Sequence, residues 1–191
     1  MADSPEVVTA KVALRTALLA RRAARSVERR AAAADALAEA LAPRLAGAGV
    51  VAGYVPTADE PGHGRLPGAL PGGVLLPVVP AGGRELSWAR YDGRLAPGRF
   101  GLLEPTGPRL PAGALVTADV VVVPALAIAV DGTRLGRGGG YYDRALTHAR
   151  PDAVLVAVIF DDELLDRVPA EAHDRRVTAV VTPSAGWRQL D

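Results

Sequence analysis

Residues 131–144 read Asp-Gly-Thr-Arg-Leu-Gly-Arg-Gly-Gly-Gly-Tyr-Tyr-Asp-Arg, and the residue types in this run point to polyanion chemistry. Four of the five positions 136–140 are glycine, so the main chain can approach a ligand closely and take conformations closed to other residues. Arg134 and Arg137 add fixed positive charge, and Tyr141-Tyr142 holds half of the four tyrosines. The run follows Val120 to Val123, an apolar stretch that reads as a buried strand. A cationic, amide-rich loop after a strand suits phosphate oxygens. Asp143, at the start of the next helix, is a candidate Mg²⁺ ligand, since that ion prefers oxygen donors and keeps several waters. The spacing is neither a Walker P-loop nor a dinucleotide fingerprint opening the first βα unit. The glycines alone suit a hairpin equally well; Arg134, Arg137 and Asp143 tip the reading toward phosphate.

A second group of cations lies near the N-terminus. At about 100° per residue, Lys11, Arg15 and Arg22 fall within about 40° of one another on a helix. Leu14, Ala17 and Leu18 form the adjoining apolar stripe. Taken alone this is a solvated basic edge, yet a cation at the rim of a core-facing stripe can reach a cleft between helix and sheet.

The elements that must position these groups are legible in outline. Residues 5–46 are rich in Ala, Leu, Arg and Glu and read as helical. Ser26 is expected to break the run and cap a second helix, and Pro43 to break or kink it near its end. Apolar runs then alternate with Gly/Pro turns: Val50 to Val55, Val74 to Val79, Leu86 to Tyr91, Val120 to Val123, Val154 to Phe160 and Val177 to Val181. Continuous valine-rich runs indicate strands covered on both faces, as in α/β proteins. Tyr141 to Ala149 is expected to be helical, with a short helix over Asp161 to Asp166. Segments 56–73 and 92–113 read as surface loops long enough to be functional.

Composition narrows the function classes. At 191 residues, 49% hydrophobic and 23% charged, the chain is expected to form one domain over residues 1–191. A net charge of +1 and few aromatics argue against nucleic acid as partner. The absence of cysteine excludes disulfides and thiol nucleophiles, and the three histidines, His63, His148 and His173, have no metal-type spacing. No apolar run reaches the roughly 20 residues of a membrane span, and the first residues do not form a secretory signal, so a cytoplasmic location is expected.

Residues 121–146, VVVPALAIAVDGTRLGRGGGYYDRAL, resemble the signature of the 5-formyltetrahydrofolate cyclo-ligases, also called 5,10-methenyltetrahydrofolate synthetases. The likeness extends along most of the chain. Lys11 to Arg15 is similar to an N-terminal K-x-x-x-R, and Tyr54 to Glu60 to a strand-then-acid segment. Phe100 to Pro105 resembles an F-G-I-x-E-P element, and Val168-Pro169 through Asp174 a V-P-x-x-x-x-D tail. The chain departs from the pattern after Glu60, where Pro61-Gly62-His63-Gly64-Arg65 replaces an apolar residue and Asp-Thr, and at Gly139, which is Lys in some members.

The resemblance implies a three-layer α/β/α domain with a mostly parallel sheet and the N-terminal helices packed on it. It implies ATP- and Mg²⁺-dependent closure of 5-formyltetrahydrofolate to 5,10-methenyltetrahydrofolate, by a monomer acting on small molecules. Carried over residue by residue, Lys11, Arg15, Arg134, Leu135, Gly136, Arg137, Gly138, Gly139, Gly140, Tyr141 and Tyr142 would bind the nucleotide. Val55, Glu60 and Phe100, with Arg137 to Tyr141, would border the folate. Arg137 and Tyr141 would stand at the transfer point, and Asp143 and Asp174 would hold Mg²⁺. Tyr54 is a pocket wall or strand core, and Glu104 a folate contact or a structural acceptor. The rival readings are another ATP-dependent ligase acting on a different formyl or amide substrate, and a non-catalytic folate- or nucleotide-binding paralogue.

Overall fold

The computed structural model describes residues 5–169 and 175–190. Its elements, in chain order, are α1 (Pro5–Ala24), α2 (Val27–Leu45), β1 (Val51–Ala52), α3 (Leu66–Ala69), β2 (Leu75–Val78), β3 (Ser87–Arg90), β4 (Leu95–Pro97), β5 (Leu103–Pro105), β6 (Arg109–Leu110), β7 (Val120–Pro124), β8 (Ala127–Ala129), β9 (Arg134–Leu135), α4 (Tyr141–Ala145), β10 (Val154–Val158), β11 (Leu164–Leu165), β12 (Ala179–Thr182) and β13 (Gly186–Gln189). Ser26 ends the first helical run as expected: its hydroxyl accepts from the Arg29 amide at 3.3 Å and caps α2. Pro43 lies inside the last turn of α2 without ending it.

Eight strands form the main sheet in the order β13-β12-β10-β7-β1-β2-β3-β6. The five inner strands, β12 to β2, run parallel, and β13, β3 and β6 add antiparallel edges. Strand β7 is central, and its valines serve both faces. Val121 and Val123 join one core with Leu155, Trp88 and Leu146; Val120 and Val122 join the other with Leu37, Leu41 and Leu45 of α2. That two-sided burial is why the run has no polar alternation. Strands β11, β8 and β9 form a separate small sheet, and α1 packs over it through Leu18 against Leu126, Ala127, Ala129, Leu135 and Val168. The helix expected after the glycine run is shorter: α4 stops at Ala145, and Leu146–His148 tightens to a 3₁₀ turn. The segment after Phe160 is likewise one 3₁₀ turn, Asp161–Glu163, followed by β11. No described helix is long and apolar enough to cross a bilayer.

Candidate active site

The parallel strands β7, β1 and β2 end side by side, and their carboxyl ends open onto a cavity of about 520 Å³. A crevice beyond the carboxyl ends of parallel strands is where open α/β sheets bind ligands. Tyr54 and Val55 reach it from β1, Pro77 and Val79 from β2, and Pro124 and Ala125 from β7. The glycine run closes one side. After β9, Gly136 to Gly140 line the cavity, with Arg134, Tyr141, Tyr142 and Asp143. Gly138 (φ 92°) and Gly140 (φ 70°) are left-handed, the conformation that favours glycine. A Cβ on Gly138 would also stand 3.3 Å from the Arg15 guanidinium. Within 134–142 only Leu135 does not line the cavity; its side chain is buried beneath α1 and its carbonyl accepts from the Leu126 amide at 2.7 Å. The nucleotide contact expected of Leu135 is therefore not one its side chain can make.

Three arginines converge on this loop, each held differently. Arg15 projects from α1 and donates its Nε to the Gly136 carbonyl at 2.9 Å. Arg134 donates Nη1 to the Pro124 carbonyl at 3.4 Å and pairs through Nη2 with Asp143. Arg137 reaches across the cavity: its Nε lies 3.1 Å from Glu60 Oε1 and its Nη2 2.6 Å from Asp59 Oδ2. Lys11 lies one turn before Arg15 on α1 and is half-buried.

Glu60 is buried at 8% exposure and shapes its own turn, its Oε2 accepting from the Thr57 amide at 2.8 Å. Asp59 accepts from the Thr57 hydroxyl at 2.7 Å. Burial pulls the Asp59 carboxyl upward, but the Thr57 hydroxyl and the Arg137 guanidinium outweigh it and hold it below the ordinary range. The Pro61–Arg65 departure does not line the cavity. It packs beneath the acid turn, with His63 Nδ1 3.0 Å from the Pro56 carbonyl and Arg65 2.6 Å from Asp35 of α2.

The remaining walls are apolar apart from Glu104. Phe100 is 72% exposed and lines the cavity from a left-handed turn (φ 56°), followed by Gly101 at φ 73°. A non-glycine residue in that region is strained, a cost tolerated mainly where the surroundings or a function require it. Glu104 is buried and its Oε1 accepts from the Val79 amide at 2.9 Å, a structural role, and it also lines the cavity. Tyr54 is both wall and core, 4% exposed and packed in the face that α2 covers. Burial first, and then the Glu60 charge, push the Tyr54 and Tyr142 phenols well above the ordinary range, so both stay neutral.

For a divalent cation, Asp143 offers a carboxylate more than half exposed at the cavity edge. Its intended companion Asp174, and His173, lie outside the described residues. Among the described residues no three His, Asp or Glu side chains form a ready-made metal cluster. One exposed carboxylate beside a glycine-rich, arginine-bearing loop fits Mg²⁺, which is usually held by one or two carboxylates plus substrate phosphates.

Two features escaped the sequence reading. Asp59 and Thr57 join Glu60 in receiving Arg137, although Thr-x-Asp-Glu after a strand carries the signature of a self-capped turn. Arg22 is not a rim cation: it is fully buried against Glu163.

Residues 7–183 match the model of the 5-formyltetrahydrofolate cyclo-ligase family. The chain is similar to the 5-formyltetrahydrofolate cyclo-ligase of Mycolicibacterium smegmatis, 45% identical over 184 residues that cover 92% of this chain and 95% of that one. Its structure is similar to the NMR structure of Aquifex aeolicus 5,10-methenyltetrahydrofolate synthetase, with TM-score 0.72 and 29% identity over 94% of this chain and 92% of that one. A 5,10-methenyltetrahydrofolate synthetase from Mycoplasma pneumoniae shares the fold at TM-score 0.68 and 18% identity, over 89% of this chain and 96% of that one.

Proposed function

Because the chain belongs to the 5-formyltetrahydrofolate cyclo-ligase family, we propose that its cavity joins ATP to 5-formyltetrahydrofolate and releases 5,10-methenyltetrahydrofolate, ADP and phosphate. One juxtaposition carries the assignment of roles. Arg137 of the glycine loop and the buried carboxylate of Glu60 face each other within one cavity whose other walls are largely apolar.

The chemistry divides naturally between the two sides. An amide-like formyl oxygen is a poor leaving group, so it must first become a phosphate ester. The formyl oxygen bonds to the γ-phosphorus and the bond from phosphorus to the bridging oxygen breaks, releasing ADP. Nitrogen 10 then bonds to the activated carbon and gives up its proton, and phosphate departs with the former formyl oxygen and that proton. Phosphoryl transfer needs positioning and charge neutralisation more than a protein nucleophile, which suits a chain without cysteine.

On the nucleotide side, the Gly136–Gly140 amides, Arg134, Arg15 and Lys11 bind the phosphates, and Tyr142 borders them. Asp143, with Asp174, holds Mg²⁺, which neutralises phosphate charge when bound. On the folate side, the carboxylate of Glu60 receives the pterin's amidine-like N–H groups in a planar two-point contact. Val55 and Phe100 supply apolar walls. Arg137 and Tyr141 stand between the two sides, so Arg137 exchanges its carboxylate partners for the transferring phosphoryl group as the pterin takes Glu60. The altered Pro61–Arg65 segment lies outside the cavity and so gives no support to a different substrate.

Purified protein with ATP, Mg²⁺ and 5-formyltetrahydrofolate is expected to produce the near-ultraviolet methenyl chromophore and ADP together. Folded protein that yields no chromophore contradicts the assignment. A second expectation concerns Asp143→Asn. It raises the Mg²⁺ needed for half-maximal turnover by at least about tenfold. Should the defect persist undiminished at saturating Mg²⁺, the lost partner of Arg134 is the cause and the metal role is wrong.

A further inference from the structure

Arg22 and Glu163 lie 141 residues apart in sequence and meet in the interior, both fully buried. The contact is a fork: Nε to Oε1 at 2.8 Å and Nη2 to Oε2 at 2.8 Å. Nη2 also donates to the Ala125 carbonyl at 2.6 Å. Glu163 Oε2 accepts from the Phe160 amide at 3.0 Å, and the Arg25 guanidinium lies 4.0 Å over the Phe160 ring. One side chain thus ties together α1, the cavity-lining residue that follows β7, and the turn that follows β10.

Stability alone is a weak reason for such a pair. Desolvating two charges offsets most of their attraction, and apolar replacements of similar size are often neutral or stabilising. What the fork supplies is direction. The apolar contacts under α1 are non-directional and would tolerate some sliding or rotation of the helix. A bidentate guanidinium–carboxylate pair fixes both. Seven residues before Arg22, about two helical turns away, the same helix delivers Arg15 to the Gly136 carbonyl and against Gly138. The carbonyl preceding Ala125, that of Pro124, receives Arg134. Arg22 therefore sits where the placements of both phosphate-side arginines originate.

We infer that Arg22, braced by Glu163, is a positioning residue for the nucleotide half of the site, setting the rotation and axial position of α1 so that Arg15 meets the triphosphate. This rests on the reading that Arg15 and the glycine loop bind ATP.

The test is a double-mutant cycle between Arg15→Ala and Arg22→Met/Glu163→Gln, with KM for ATP, KM for 5-formyltetrahydrofolate, kcat and thermal midpoint measured for each protein. The Arg22→Met/Glu163→Gln protein is expected to raise KM for ATP by about tenfold and to leave KM for the folate within about twofold, whatever happens to its midpoint. Added to Arg15→Ala, it produces little further increase. Arg22→Lys keeps the charge but cannot fork; it carries the same test if the apolar variant does not fold, with the same rise in KM for ATP expected. If Arg15→Ala leaves KM for ATP unchanged, the reading of Arg15 fails. If Arg15→Ala raises it and the Arg22 variants leave it unchanged, or raise it independently of Arg15, the positioning role is overturned and the pair is purely structural.

Discussion

Arg137→Ala is expected to lower kcat by about a hundredfold to a thousandfold without unfolding the protein, as loss of one preorganised transition-state donor does elsewhere. The side chain is 43% exposed and its carboxylate pairs lie at the cavity, so little stability depends on it. Its acceptors, however, include the group assigned to the pterin. The substitution frees Glu60 from its internal partner, and KM for 5-formyltetrahydrofolate is expected to stay level or fall while kcat collapses. Arg137→Lys restores only part of the rate, because an ammonium cannot engage phosphoryl oxygens in a fork. Steady-state kinetics with each substrate varied separates these effects. A variant that keeps kcat within about fivefold of wild type removes Arg137 from the transfer step, since a preorganised donor contributes far more than that.

The largest stability effect is expected at Gly132, remote from the cavity lining. Its φ of 82° already disfavours any side chain, and a Cβ there would stand 2.3 Å from the Val177 carbonyl oxygen. That carbonyl cannot retreat cheaply, because the Val177 amide donates to the Gly132 carbonyl at 2.9 Å. Gly132→Ala is expected to cost about 3–5 kcal/mol, combining backbone strain with steric overlap. For a chain of this size that lowers the thermal midpoint by about 6–20 °C. Gly64→Ala is the control: φ there is 75°, but nothing lies within 4 Å of the added carbon, so only the backbone cost of about 1–2 kcal/mol remains. Denaturant unfolding of the two variants gives the comparison. Equal losses would show that the contact with Val177 relaxes freely.

What the sequence made legible follows from where the information sits. Strand β7 and the glycine run are local signals, an unbroken valine stretch and a cluster of residues with unusual backbone freedom, and both stand where expected. Ser26 is local too, since a cap needs only its own next turn. The small sheet β11-β8-β9 left no such trace, because strands of two or three residues are too short to show a period. Strand β13 is half exposed and partly polar, and it gains its identity only by pairing with β12. Arg22 shared a helical stripe with Lys11 and Arg15 and looked equally solvated. Its burial depends on Glu163, which itself sits in an acidic trio, Asp161-Asp162-Glu163, with every appearance of a surface patch. Phe100, expected at the folate border, does line the cavity, but the left-handed backbone that holds it in the open left no trace in the sequence.

The third hydrophobic cluster has a dynamic consequence. The described residues buried there are Leu18 and five side chains from the small sheet and its flanks, whereas the main sheet is packed on both faces. Units with few buried apolar contacts are the first to open in native-state fluctuations. Of the three apolar clusters among the described residues, the one beneath the first helix is the smallest, and its backbone amides should exchange with solvent well before those of the central strands. Any such excursion would carry Arg15 away from the glycine loop while leaving Glu60 and its turn in place; on the roles proposed above, that is a route for spent nucleotide to depart before the product ring does.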